Sequence, residues 1–206
     1  DTKIPLHLYI TEAWSLIVNA ITQKRWADCA DDEQDETTQR RSRTSWIIHM
    51  LMASGYGLML ILIIFFLGWF QTDEIYPIYH PQRWLGYYAT VVLLVGAGSA
   101  LWGRIKKETQ LHLFSQPSDW IFPVLLIAVT LTGILQHTFR YMGYPLLTYY
   151  TYVIHLAFTA PMLILEVPFG KWAHLYYRPL AIYFQTVKEK AMKIQDELAA
   201  APAAAD

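Results

Sequence analysis

Seven histidines are the residues of this 206-residue chain with the widest choice of chemistry. Neutral imidazole binds haem iron and other metals, and it moves protons near neutral pH. Four of the seven, His49, His137, His155 and His174, fall within or at the edge of long apolar runs. Polar side chains are expensive there and tend to mark function. With the runs taken as membrane spans, His137 and His155 share one half of the bilayer, and His49 and His174 share the opposite edge. Each level draws one histidine from each of two helices. That pattern fits a flat macrocycle clamped by both axial faces, and bis-histidine haem suits electron transfer because it leaves no open coordination position. The plainer reading is histidines satisfied by Ser, Thr and Tyr neighbours in a haem-free anchor. A third reading is a small transporter with His137, His155 and Glu166 as a proton relay, which the lack of an internal repeat disfavours. One difficulty is angular: His155 and His174 are 19 residues apart, roughly 100° off a common helix face, unless the Pro168/Gly170 break re-aims His174.

Other residues complete such a site. Gly133, Gly55, Gly57, Gly96 and Gly98 let a ring or a neighbouring helix approach closely. Haem propionates want cations, and Arg140 and Arg83 stand at one edge, Lys171 and Arg178 at the other. Glu166 reads either as a carboxylate reaching the interface or as part of a proton path to a quinone. A quinone carbonyl has Tyr79, His80, Arg83, Arg140 and Tyr141 available at the first edge, or Glu166, Lys171 and Arg104 at the second. His7 and His112 read as solvated or interfacial. The single cysteine, Cys29, excludes an internal disulfide framework and a self-contained iron–sulfur cluster. CxxCH, HExxH, P-loop, GxSxG and GxGxxG patterns are all absent, so covalent haem and the standard hydrolase, NTPase and dinucleotide signatures are excluded.

The elements that must position these residues are long apolar helices. The composition is 54% apolar and 16% charged, against about 25% charged in soluble domains. Charge-free or nearly charge-free runs over Trp46–Phe70, Trp84–Ile105, Asp119–Phe139 and Leu146–Phe169 are each long enough to cross a bilayer. Ser118 is the expected N-cap of the third, with Pro123 in its first turn. Arg40, Arg41 and Arg43 precede the first run, Arg104, Lys106 and Lys107 follow the second, and Lys171, Arg178, Lys188 and Lys190 follow the fourth. The positive-inside rule then places both ends in the cytoplasm. Residues 6–26 form an amphipathic pattern on Leu6, Ile10, Trp14, Ile17 and Ile21, too polar to span and suited to the membrane interface or a partner subunit. The expected organisation is an all-α integral membrane protein: residues 1–45 an interfacial helix and acidic connector, 46–185 a four-helix transmembrane bundle, and 186–206 a cytoplasmic helix and tail.

Specific stretches carry a family resemblance. RRSRTSWIIHMLMASGYG at the first run resembles the cytochrome b subunits of the nitrate reductase gamma type. More closely it resembles the membrane domains of three related proteins: the E-type protein of heterodisulfide reductase, the M-type protein associated with sulfite reductase, and the C-type protein of the quinone-interacting membrane-bound oxidoreductase (Qmo). The last is the nearest in likeness. GRIKKETQLHLFSQPSDWIF and YVIHLAFTAPMLILEVPFGKWAHLYYRPLAIYF are the closest stretches, and the likeness covers about residues 40–186. The resemblance implies one or two non-covalent b-type haems in a prokaryotic cytoplasmic membrane. It implies electron transfer between a quinone and a cytoplasmic iron–sulfur or flavin subunit of a respiratory complex. His155 and His174 match the family's last-helix ligands and His49 a first-span ligand. Where the nitrate reductase type has a second first-span histidine, this chain has Met59, which leaves His137, or in reserve His80, as the partner of His155.

Overall fold

The computed structural model describes residues 4–23, 35–107 and 114–200. Cys29, Trp26 and His112 lie outside them. Among the described residues the chain is helical throughout, with no strand. The elements are α1 (Leu6–Thr11), α2 (Ala13–Thr22), α3 (Glu36–Phe65), α4 (Leu67–Phe70), α5 (Pro81–Lys106) and α6 (Pro117–Tyr141). They continue with α7 (Pro145–Pro161), a π-helical turn (Met162–Glu166), α8 (Val167–Phe169), a 3₁₀ turn (Lys171–Ala173) and α9 (His174–Ala200). Four helical stretches, α3, α5, α6 and α7 through α8, have the length and apolarity to cross a membrane. The molecule is a multi-pass, all-α membrane protein.

Contacts divide the chain into two compact units, one formed by the segments up to Gln39 and from Trp172, the other by Arg40–Lys171. The boundaries expected from the sequence at 45/46 and 185/186 fall within α3 and α9, each of which runs unbroken through its boundary.

In the first unit, α1 and α2 pack on α9. Leu8, Val187 and Ala191 form its buried centre, with Ile4, Tyr9, Tyr183 and Ile194 around them. The Tyr183 hydroxyl donates to the Tyr9 carbonyl at 2.6 Å, and Lys190 pairs with Glu12 at 2.6 Å. The amphipathic pattern over 6–26 is broken at Glu12 into two helices, and α2 ends where Gln23 turns left-handed.

In the second unit, α3 and α5 meet on small residues. Gly55 lies against Ala89 and Val92, and Gly96 against Met52. A Cβ on Gly96 would fall 2.7 Å from that of Met52, so these two glycines serve helix packing. The first span is interrupted at Phe66, where the backbone leaves helical geometry and α4 restarts. The third begins at Pro117 with Gln116 as N-cap, not Ser118; the Asp119 carboxylate accepts from the Gln116 N–H at 2.8 Å. The earlier start makes Pro123 the seventh helical residue. α6 passes to α7 through Met142–Tyr144. Gly143 sits at φ +72° and the Tyr144 N–H returns to the Phe139 carbonyl at 3.0 Å, a glycine-dependent helix stop. A three-residue connection leaves α6 and α7 as antiparallel neighbours.

The fourth span departs from regularity. Beyond Pro161 it widens into the π turn, in which the Val167 N–H bonds the Met162 carbonyl five residues back. Proline lacks the donor that a regular helix needs, and π segments occur as single turns inside α-helices. Pro161 and Pro168 flank the turn at either end. Gly170 then leaves the helix with extended backbone.

Candidate functional site

The second unit brings five of the sequence-nominated residues to one end of the bundle. Arg83 and Tyr87 lie one turn apart on α5, and His137 and Tyr141 one turn apart on antiparallel α6. The two pairs face each other. The Tyr87 hydroxyl and His137 Nε2 are 2.9 Å apart, and the Arg83 guanidinium stands 5.6 Å from the Tyr141 ring centre. His137 is held between rings, edge-on to Tyr87 and 4.5 Å from the centre of Tyr141.

The connection from α4 to α5 closes over this ladder. The Tyr141 hydroxyl donates to the Tyr76 carbonyl. The Tyr76 ring stacks on His80 at 4.2 Å, and His80 caps α5 by accepting from the Gln82 N–H. Gln82, almost fully buried, ties the end of the first span in place through the carbonyls of Trp69 and Phe70. Arg140 donates to the carbonyls of Thr72 at 2.5 Å and Glu74 at 3.1 Å. One nitrogen of its guanidinium, Nη2, is thus engaged by loop backbone. Arg83 differs: its Nε is buried with no hydrogen-bond partner. Tyr79 projects into the open at 78% exposure and belongs to no part of this cluster.

His155 comes in from α7, the next helix over. Its Nδ1 lies 3.0 Å from the Val129 carbonyl and 3.0 Å from the Thr132 hydroxyl. A carbonyl only accepts, so Nδ1 carries the proton and neutral Nε2 keeps its lone pair. The Thr132 hydroxyl donates in turn to the Ala128 carbonyl at 2.7 Å. Gly133 makes this possible: a Cβ there would stand 3.3 Å from His155 Cε1. The space that Gly133 opens on α6 is filled by the imidazole itself. His155 thus meets α6 one turn from His137.

The remaining nominated residues stand elsewhere. His49 is half-buried in α3, within the second unit. His174 is the exposed first residue of α9, in the first unit. Arg178 is exposed on α9. Arg104 turns back on its own helix, donating to the Ala100 carbonyl at 2.9 Å. Glu166 closes the π turn with Oε2 buried and without a hydrogen-bond partner; its carboxylate lies over Gly170, where the Glu166 backbone carbonyl leaves no room for a Cβ. Among the described residues, no group of three or more His, Cys, Asp or Glu is placed to hold a metal ion.

Tyr87, Thr132 and the Val129 carbonyl were not singled out in the sequence. Tyr87 had a signal: it lies four residues after Arg83, as Tyr141 lies four after His137, so an antiparallel pair of helices sets the two in register. Thr132 and the carbonyl had none, because what they do depends on the depth at which α7 docks.

The fold and the cluster define a four-span membrane bundle with a histidine-, tyrosine- and arginine-lined end. No protein-family model and no solved structure matches the chain. It is similar to Citrate utilization protein B of Escherichia coli, 31% identical over 148 residues that cover 69% of this chain and 34% of that protein. The chain therefore spans about a third of the length of the curated relative it matches.

Proposed function

We propose that the chain is a b-type cytochrome membrane subunit that passes electrons between a membrane quinone and a soluble iron–sulfur or flavin protein. One observation carries the reading. His155 donates Nδ1–H to a backbone carbonyl within the bundle and keeps its Nε2 lone pair, the orientation in which outer-shell carbonyls set ligating histidines. His155 would hold haem iron through this free Nε2. His137 fits less simply, since Nε2 is engaged by Tyr87 and would have to release that hydroxyl to ligate. When bound, haem supplies one-electron transfer. This chain's own residues do the rest. Val129 and Thr132 fix the His155 tautomer, and Gly133 admits its ring. Arg83, beside Tyr141 and with an Nε–H that has no protein acceptor, is the donor we assign to a quinone oxygen. The likeness to a protein named for citrate utilisation makes citrate use the proposed metabolic setting.

A second reading has its own support. Tyr87 and Thr132 hydroxyls satisfy His137 and His155 with protein groups alone, as expected of a haem-free membrane anchor. A reduced-minus-oxidised spectrum on protein purified from haem-replete cells, with haem quantified per chain, separates the two. The cytochrome reading requires a b-type signal that His155→Ala abolishes or halves. Absence of haem from the wild-type chain refutes it and leaves the anchor.

A further inference from the structure

We propose that the α1–α2 segment is a membrane-surface anchor, clamped to α9 by its Leu8–Glu12 side and laid on the lipid headgroup–acyl boundary by its outward apolar side. The observation is an inversion. At 100° per residue, Leu8, Glu12, Ser15 and Asn19 cluster on one side of α1–α2, and Leu6, Ile10, Trp14, Ile17 and Ile21 on the opposite side. The first set is buried or half-buried, and its contacts with α9 include the Leu8–Val187–Ala191 centre and the Glu12–Lys190 pair. The second set is between 45% and 79% exposed. A segment that seats Leu8, Glu12, Ser15 and Asn19 against its own protein and turns five large apolar side chains outward requires an apolar cover.

Lipid is the cover the chain favours. His174 opens α9 only five residues after Phe169, the last helical residue of the fourth span. Fully extended, those residues reach at most about 18 Å. Tyr183, which holds Tyr9, lies nine residues further, about 14 Å along the helix. The stripe is thus tied to a membrane span by roughly 30 Å of chain. Trp14 sits within an aliphatic row, the composition that suits an interfacial helix. By sequence, Lys3 precedes the segment and Lys24 and Arg25 follow it, cations that complement anionic headgroups. The stripe itself bears no charge.

The test uses the full chain in nanodiscs of phosphatidylcholine and phosphatidylglycerol, with the sole cysteine removed (Cys29→Ser). Nitroxide labels go at Ile17→Cys and Ile10→Cys on the stripe, and at Lys193→Cys on the exposed side of α9 as the reference. Correct folding is checked by gel filtration and circular dichroism. Power-saturation EPR then compares collisions with oxygen, which partitions into lipid, and with a water-soluble nickel chelate. Stripe labels favouring oxygen several-fold more than the Lys193→Cys label confirm the anchor. Stripe labels as open to nickel as the reference overturn it and leave the face to a protein partner. Low access to both agents, with spin–spin broadening that disappears on dilution with unlabelled protein, also overturns it and assigns the face to a second copy.

Discussion

Gly133 gives the sharpest test of how His155 is seated. Two effects oppose each other when it is replaced. Any side chain there gains helix propensity, about 1 kcal/mol for alanine and about half that for valine. Against this, the new Cβ falls 3.3 Å from His155 Cε1, inside the 3.5–4.0 Å optimum for carbon contacts. For Gly133→Ala the ring moves by a few tenths of an ångström and the Nδ1–H···O=C bond to Val129, now 3.0 Å, stretches. Losing part of a bond worth about 1 kcal/mol offsets the propensity gain, so stability should change by less than about 0.5 kcal/mol. Gly133→Val adds methyl groups beside the imidazole; overpacking costs about 1–3 kcal/mol, and the net loss should be about 1–2 kcal/mol. Unfolding in mixed detergent, followed by tryptophan fluorescence, measures both. Under the cytochrome proposal, Gly133→Val also weakens haem retention by about 10–100-fold, the usual effect of disturbing an outer-shell partner, while Gly133→Ala keeps it. If both variants are more stable than the parent by their propensities alone, the imidazole does not rest on Gly133 and the seating of His155 against α6 is refuted.

Tyr87→Phe removes the hydroxyl at His137 Nε2 and should cost about 0.6–1.7 kcal/mol, the range for a hydrogen bond between membrane helices, in the same unfolding assay; no change would show that the pair is not formed. Arg140→Ala releases the Thr72 and Glu74 carbonyls, so hydrogen exchange should quicken across the 71–80 connection and stay unaltered in α7. The Thr37 hydroxyl and the Thr38 hydroxyl and N–H bond the Asp35 carboxylate, just before α3, and hold its pKa below the usual carboxylate value. Because the folded-state pKa is lowered, the stabilisation of the first turn of α3 is full above the ordinary carboxylate value and is lost as pH falls below it and through the lowered folded-state pKa. Exchange at Thr37 and Thr38 should therefore quicken on acidification in the parent chain and be fast and pH-insensitive, after correction for intrinsic rates, in Asp35→Ala.

Much of this was legible because membrane spans are read from composition. Trp46, Trp84, Asp119 and Leu146 lie within a few residues of places where apolar runs begin, and the structure has spanning helices over all four. The ends were less legible, since caps depend on one or two residues: Gln116 displaced Ser118 because the Asp119 carboxylate reaches the Gln116 N–H and starts α6 earlier. The π turn was invisible as a pattern. Pro161 and Pro168 mark it, but whether a proline kinks, ends or widens a helix is decided by what packs beside it.

The histidines show the same division between chemistry and geometry. Sequence selects them as costly residues in apolar runs, and the structure gives His137 and His155 protein partners from neighbouring helices. What sequence does not supply is which nitrogen each partner takes. At His137 the bond lies on Nε2, so the ring is tied to Tyr87 through the atom that would most readily face a metal. At His155 it lies on Nδ1, and the opposite nitrogen is kept in acceptor form. Two residues equal in the sequence thus become unequal through the partners their helices offer, a tyrosine one turn beyond Arg83 for one and a main-chain carbonyl beside Gly133 for the other. If one of them ligates, the asymmetry selects His155. His155→Ala and His137→Ala should then differ in haem content, with the second retaining what the first loses. Equal loss in both variants would mean that the Tyr87 bond is surrendered on loading and that both imidazoles ligate.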